Sequence, residues 1–280
     1  MSKAHVPAGD VTASINFYLA PEDGAAPFDY VDVPPPGKPE RNYGDIACEV
    51  LIQDVRGRED QFTLDHDGFQ LFQGEPISNL SNLADEPAMQ RYYKEMEQLL
   101  LSKIPGTHSV YIFDHTLRRA DPAARRSPVQ KAHIDQTAVS VEKRIRMYYP
   151  TTSDTLLKGR YRLVNVWRPL NRNPVQSFPL AFASSATLAE GDFIPVTHHH
   201  LDGYIGQTAS IAYNPGQDWY YWSGMTNDEC IFLECFDSES LRAGSGVYGR
   251  VPHSAFDDPR TDASNEPRES VEIRALVFGP

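Results

Sequence analysis

The chemistry in this chain begins at His133-Ile134-Asp135. In extended backbone the residues at i and i+2 point to the same side, so one imidazole and one carboxylate converge. A single His-x-Asp arises by chance in many chains, and taken alone it is more often a hydrogen-bonded surface pair. Its weight depends on a third ligand. Two histidines and one carboxylate can hold Fe(II) on one octahedral face and leave three positions for a cosubstrate and dioxygen, which requires a distal histidine on a later strand.

Two places offer one: the run His198-His199-His200, and His253 in Val251-Pro252-His253-Ser254. Electrostatics separates them. If the cosubstrate is 2-oxoglutarate, one end meets the metal and the remote carboxylate needs its own cation inside a poorly hydrated barrel, because a buried unpaired carboxylate costs several kcal/mol. Residues 173–241 contain no Arg or Lys, so nothing cationic follows the triple histidine until Arg242. After His253, Arg268 follows fifteen residues on, in Arg268-Glu269-Ser270. The spacing of Arg268 and Ser270 lets a guanidinium fork and a hydroxyl meet one carboxylate together. His253 is therefore the expected third ligand, and the triple histidine is read as a solvated or substrate-lining loop. Arg274 competes with Arg268 for the anchoring role: if even positions of the last strand face inward, Arg268, Ser270, Glu272 and Arg274 share one side. Arg268 ranks first, because Glu272 offers Arg274 an intramolecular partner and Leu276 and Phe278 make the far end of the strand dry.

These residues need a scaffold of strands. Residues 1–84 carry short apolar runs such as Cys48–Ile52 between turn signals such as Pro34-Pro35-Pro36-Gly37 and His66-Asp67-Gly68. A helix is expected from Asp85 as N-cap to about Lys103, with Tyr92, Met96, Leu99 and Leu100 as its apolar stripe. Val110–Phe113 reads as a strand and Leu117–Ser127 as an exposed connection. Strand-like runs then recur at 144–149, 161–167, 180–183, 210–213, 219–222, 230–236 and 271–278. Many short strands with few helical patterns predict a mainly β fold, a double-stranded β-helix or jelly roll, with an N-terminal extension and a few flanking helices. The whole chain, 1–280, is expected to form one domain, residues 1 to about 115 packing on a barrel built from about 116 onward. Trp167 and Trp219–Trp222 are core aromatics by default, with a pocket-lining role open to them. Arg168 is within reach of a substrate acid, and the glycine-bearing stretch 238–249 has the composition of a lid.

Composition excludes several classes. With Asp and Glu at 38 against Lys and Arg at 26, the net charge of -12 offers no field for nucleic acid. No stretch approaches the roughly 20 apolar residues that cross a bilayer, so no membrane partner is expected. Cys48, Cys230 and Cys235 form neither a disulfide framework nor a zinc knuckle, which suits a reducing, cytoplasmic compartment. Self-association into a homodimer is left open.

Taken in order, His133-Ile134-Asp135-Gln136-Thr137, Asn165-Val166-Trp167-Arg168-Pro169-Leu170, Tyr213-Asn214-Pro215-Gly216-Gln217, Pro252-His253-Ser254-Ala255-Phe256 and Arg268-Glu269-Ser270 resemble the fungal CmcJ/AsaB-like family of secondary metabolism. Asp54-Val55-Arg56-Gly57 and Leu64-Asp65-His66-Asp67-Gly68-Phe69 extend the resemblance over nearly the whole chain. It implies a double-stranded β-helix and non-haem Fe(II)/2-oxoglutarate chemistry with dioxygen, with His133, Asp135 and His253 at the metal positions. The expected activity is oxidation of an unactivated carbon of a small metabolite by hydroxylation, desaturation, cyclisation or endoperoxide formation. Two alternatives stand beside it: a zinc-dependent hydrolase on the same three ligands, and a non-catalytic jelly roll that binds a metabolite.

Overall fold

The computed structural model describes residues 6–75, 83–121, 124, 126–262 and 265–279. In chain order its strands are β1 (Val11–Leu19), β2 (Phe28–Tyr30), β3 (Gly44–Asp54), β4 (Phe69–Phe72), β5 (Ser109–Arg119), β6 (His133–Ile134), β7 (Arg160–Pro169), β8 (Leu180–Ala183), β9 (Phe193–His199), β10 (Ile205–Ile211), β11 (Trp219–Tyr221), β12 (Cys230–Asp237), β13 (His253–Ala255) and β14 (Glu269–Gly279). The helices are α1 (Leu64–Asp67), α2 (Glu86–Lys103), α3 (Ala138–Tyr148) and α4 (Ser153–Leu156).

The strands form two sheets. The larger runs β1-β3-β11-β8-β13-β6-β10-β9-β2, and the smaller β4-β12-β7-β14-β5. Together they make the jelly roll expected from the strand pattern. The N-terminal strands sit at or next to sheet edges: β1 and β3 lengthen one end of the large sheet, β2 closes the other, and β4 and β5 flank the small one. The extension thus joins the barrel through backbone ladders as well as through side-chain packing.

Alternation along the last strand divides inside from outside. Val271, Ile273, Ala275 and Val277 pack outward against Met89, Tyr92, Met96, Leu99 and Leu100 of α2. Those helical residues recur at i, i+3, i+4 and i+7, the apolar stripe of an amphipathic helix. Leu100 is fully buried, and truncating such a side chain to Ala costs about 2–5 kcal/mol. On the opposite face of β14, Leu276 and Phe278 enter a second cluster with Leu163 and Phe236, leaving Ser270, Glu272 and Arg274 as the polar half of the inward side.

Four local expectations are corrected. Residues 144–149, read as a strand, belong mostly to α3, where Val141 and Ile145 are buried one turn apart and the Thr137 hydroxyl caps Ser140 N–H. Ile145, Tyr148 and Tyr149, β-branched and aromatic, look strand-like until tertiary contacts decide. The strand expected at 210–213 runs earlier, as β10. His198 and His199 lie on β9 rather than in a loop. Leu117, Arg118 and Arg119, expected in an exposed connection, complete β5.

Candidate active site

His133 opens the short strand β6 beside β13, and the two strands pair so that His133 and His253 stand directly opposite. Cross-strand neighbours in a ladder lie within about 5 Å, which brings the imidazoles together without any loop. Their ring centroids are 4.4 Å apart. Both rings are oriented in the same way. His133 Nδ1 lies 2.7 Å from the Lys131 carbonyl and His253 Nδ1 lies 3.3 Å from the Val251 carbonyl, each two residues earlier in the chain. Since a carbonyl only accepts, both rings carry their proton on Nδ1 and turn an Nε2 lone pair into the barrel, as metal-binding histidines do.

Asp135 completes the set, with one ligand atom from each residue lying within 4.8 Å of the others. His133 Nε2 is 3.4 Å from Asp135 Oδ1. Two donors at right angles around an ion at about 2.1 Å lie about 3 Å apart, so this edge is close to ligating geometry. Oδ2, in contrast, is already engaged by Asn165 Nδ2 at 2.9 Å and Arg274 Nε at 2.8 Å. One oxygen is held by the protein and the other is left for a metal. The donor set fits a divalent cation.

The local electrostatics matches that use. Burial pushes the Asp135 carboxyl up, but the charges around it, the Arg274 guanidinium first, outweigh burial and hold the group well below the usual carboxylate range. Burial, reinforced by His133, pushes His253 down to about 3, so its imidazole is neutral at physiological pH.

Next to the histidines is a narrow cavity lined by Arg118, His133, Trp167, His253, Arg268 and Glu272. Arg268, 2% exposed, donates through Nη1 to the Phe178 carbonyl and stands 5.6 Å from the Trp167 ring. Phe178 holds φ +46°, in the left-handed region that non-glycine residues seldom adopt. Arg268 Nε is buried with no hydrogen-bond partner among the described residues. Burial and the charge of Arg118 lower the Arg268 pKa to about 9. A buried guanidinium with an idle donor has the chemistry to take up an anion.

Residues 15–278 match the family described as Oxidoreductase/YMDC permease-like domain. Hydroxylase/desaturase poxK of Penicillium oxalicum is 35% identical over 97% of this chain and 92% of its own length. The Fe(II)/2-oxoglutarate-dependent dioxygenase nvfI of Aspergillus novofumigatus is 28% identical over 94% of this chain and 95% of its own. A solved structure of the iron and alpha-ketoglutarate-dependent endoperoxidase NvfI superposes with a TM-score of 0.85 at 25% identity, covering 97% of this chain and 98% of that one. The chain belongs to the fungal hydroxylase/desaturase family of non-haem iron, 2-oxoglutarate-dependent oxygenases.

Within this oxygenase the residues singled out in the sequence fall into three groups. His133, Asp135 and His253 converge, and Arg268 lines the adjoining cavity. Ser270, 1% exposed, is paired with Arg118 across the β5–β14 ladder. Arg274 is committed elsewhere: besides Asp135 it holds Glu272 Oε1 at 2.6 Å, Asp114 Oδ2 at 3.1 Å and Thr116 Oγ1 at 2.9 Å. The triple histidine stands apart, His198 bonded to Thr208 Oγ1 and His199 packed on Tyr30. Arg168 shares the outward parity of Val164 and Val166 and donates to the carbonyls of Glu75 and Asn227, away from the cavity. The stretch 238–249 lines clefts with Asp65, Arg160 and Phe193 rather than the histidine cavity.

Three residues lay outside the sequence reading as site residues. Asn165 falls in a quoted motif but had no role. Asp114 and Arg118 sit on a strand whose inward parity becomes visible only once β5 is aligned with β14.

Proposed function

We propose that His133, Asp135 and His253 hold ferrous iron, and that Arg268 with Ser270 holds the remote carboxylate of 2-oxoglutarate, for the oxidation of a small, largely apolar metabolite. The observation that carries this reading is the division of labour at Asp135 and the two imidazoles. Their outward atoms are tied to Arg274, Asn165 and backbone carbonyls, and their inward atoms converge.

When bound, iron and 2-oxoglutarate supply the redox chemistry, in which oxidative decarboxylation to succinate and carbon dioxide is coupled to removal of hydrogen from a substrate carbon. The protein contributes placement. The neutral imidazole of His253 offers its lone pair without first losing a proton. Arg274 and Asn165 keep Asp135 ionised and restrict it to one ligating oxygen. Arg268 and Ser270 fix the far end of the keto acid, which sets the direction from which its other end meets the metal. Trp167 and Leu180 line the same cavity and exclude water from it. Whether hydroxylation, desaturation, cyclisation or endoperoxide formation follows depends on which carbon lies nearest the metal.

The three cysteines are free thiols, in keeping with a cytoplasmic setting, and no helix among the described residues is long and apolar enough to cross a membrane. Succinate release measured with and without oxygen tests the proposal. Turnover should require oxygen, iron and 2-oxoglutarate and should vanish in His253→Ala. Oxygen-independent turnover would favour a zinc hydrolase on the same ligands, and unchanged iron affinity in both His133→Ala and Asp135→Ala would favour a metabolite-binding jelly roll.

A further inference from the structure

The cavity carries more positive charge than one anchoring arginine requires. Its wall holds two guanidinium groups, Arg118 and Arg268, against the single carboxylate of Glu272. Glu272 is already spoken for, since its Oε1 receives Arg274 Nη2 at 2.6 Å. Two cations sharing a buried space with one committed anion repel each other, and the charge of Arg118 is indeed among the causes that depress Arg268. Such a pair is favourable only when an anion lies between the two groups.

The position of Arg118 is set by the fold. In the β5–β14 ladder Arg118 stands opposite Ser270, Thr116 opposite Glu272 and Asp114 opposite Arg274, so alternate residues of β5 meet the inward face of β14. Asp114 and Thr116 use that placement to hold Arg274. Arg118, one step further toward Arg268, has Nη1 on the Ser127 carbonyl at 3.0 Å, a neutral acceptor, and the carboxylates whose charge reaches it, Glu272 and Asp135, are both already bonded to Arg274. Desolvation is the chief cause lowering its pKa, as expected for a cation drawn into the barrel.

We propose that Arg118 is a second cationic contact for the remote carboxylate of the 2-oxo acid, gripping it from β5 while Ser270 on β14 and Arg268 just before that strand grip it from the other side. The assignment rests on the reading of the cavity as the 2-oxoglutarate site. It gives β5, the edge strand of the small sheet, a direct part in cosubstrate selection, because that strand supplies one half of the clamp. It also fixes the class of acid: a 2-oxo acid with a second carboxylate is favoured over a monocarboxylic one of the same metal-binding end.

The test is an anaerobic titration of the Fe(II)-loaded protein with 2-oxoglutarate and, separately, with 2-oxobutyrate, read by the visible absorption that a 2-oxo acid produces on chelating ferrous iron. Arg118→Gln should raise the 2-oxoglutarate Kd by at least about tenfold, change the 2-oxobutyrate Kd less than about twofold, and leave iron affinity intact. Arg118→Lys, which keeps the charge but loses the fork, should fall between wild type and Arg118→Gln. An unchanged 2-oxoglutarate Kd in both variants, or an equal loss for the two acids, overturns the role of Arg118. The parallel variant Arg268→Gln separates the two levels. If it loses 2-oxoglutarate while the Arg118 variants do not, only the second contact is wrong; if wild type binds 2-oxoglutarate no better than 2-oxobutyrate, the cavity is not the carboxylate site at all.

Discussion

Arg274 and Asp135 meet across the barrel, with Nε and Nη2 of the guanidinium each 2.8 Å from the same carboxylate oxygen, Oδ2. Arg274 belongs to the small sheet, while Asp135 directly follows β6 of the large one. Asn165, paired with Arg274 in the β7–β14 ladder, adds a third donor to Oδ2. The contact therefore joins the two sheets at the carboxylate that converges with the two histidines, and it decides which oxygen of Asp135 remains available.

Replacing Arg274 with Met should accordingly weaken the metal rather than the cosubstrate. Loss of an outer partner typically costs 10- to 100-fold in metal affinity, so an anaerobic iron titration should show a drop of roughly that size. Breaking a buried ion pair by removing one partner also costs about 3–5 kcal/mol, which urea unfolding would register, since Glu272 is left unpaired as well. Wild-type iron affinity combined with a raised 2-oxoglutarate requirement would make Arg274 the anchor instead.

Arg268→Ala should behave in the opposite way. The 2-oxoglutarate concentration needed for half-maximal succinate release should rise by well over about tenfold, the value of a lost charge-assisted pair, with iron binding mostly intact. Because the variant also frees the Phe178 carbonyl and removes the contact with Trp167, its unfolding should be compared with that of wild type. A loss of iron in step with 2-oxoglutarate would mean that Arg268 supports the fold and not the ligand.

The contrast between these arginines marks how far the sequence could be read. Fifteen residues separate His253 from Arg268, and the strand spacing of Arg268 and Ser270 is local, so a cation near the end of the last strand was legible. The helix at Asp85 was equally plain from its cap and stripe, and it appears as Glu86–Lys103. The bond from Arg274 to Asp135 was not legible, because it spans 139 residues and depends on two sheets facing each other. Arg118 was hidden for a related reason: an arginine-rich stretch resembles a solvated loop until a ladder partner fixes its parity. The triple histidine, conspicuous in sequence but passed over as a ligand, is occupied with Thr208 and Tyr30 in the fold, and only its placement in a loop was misread.

Metal and fold should be linked. A ligand that binds only the native state at a free concentration 100 times its Kd adds about 2.7 kcal/mol of stability. For a chain of this size that corresponds to roughly 5–10 °C in Tm. Adding Mn(II) as a redox-silent substitute should raise the wild-type Tm by about that amount, chelator should reverse it, and Asp135→Ala should show no response. A similar rise in that variant would place the stabilising cation elsewhere.

Acid sensitivity away from the metal should centre on Asp54 at the end of β3. Its Oδ2 accepts Gly9 N–H at 2.7 Å, and its Oδ1 accepts Arg56 N–H at 3.0 Å and Ser223 N–H at 3.1 Å, tying three segments together. Burial pushes this carboxyl up, but those N–H groups outweigh burial and hold it below the ordinary value. A depressed native pKa stabilises the fold fully above the unfolded value of about 3.9 and ceases to do so as pH falls through the native one. Asp54→Asn keeps the shape but turns an NH2 toward one set of donors, so it should cost about 1–3 kcal/mol at pH 7. Urea unfolding at pH 7, 5 and 3 should show the same gap between the two proteins at the first two values and a smaller one at the third, where the wild-type carboxyl begins to protonate. A gap that stays constant into acid would assign the loss to packing rather than to charge.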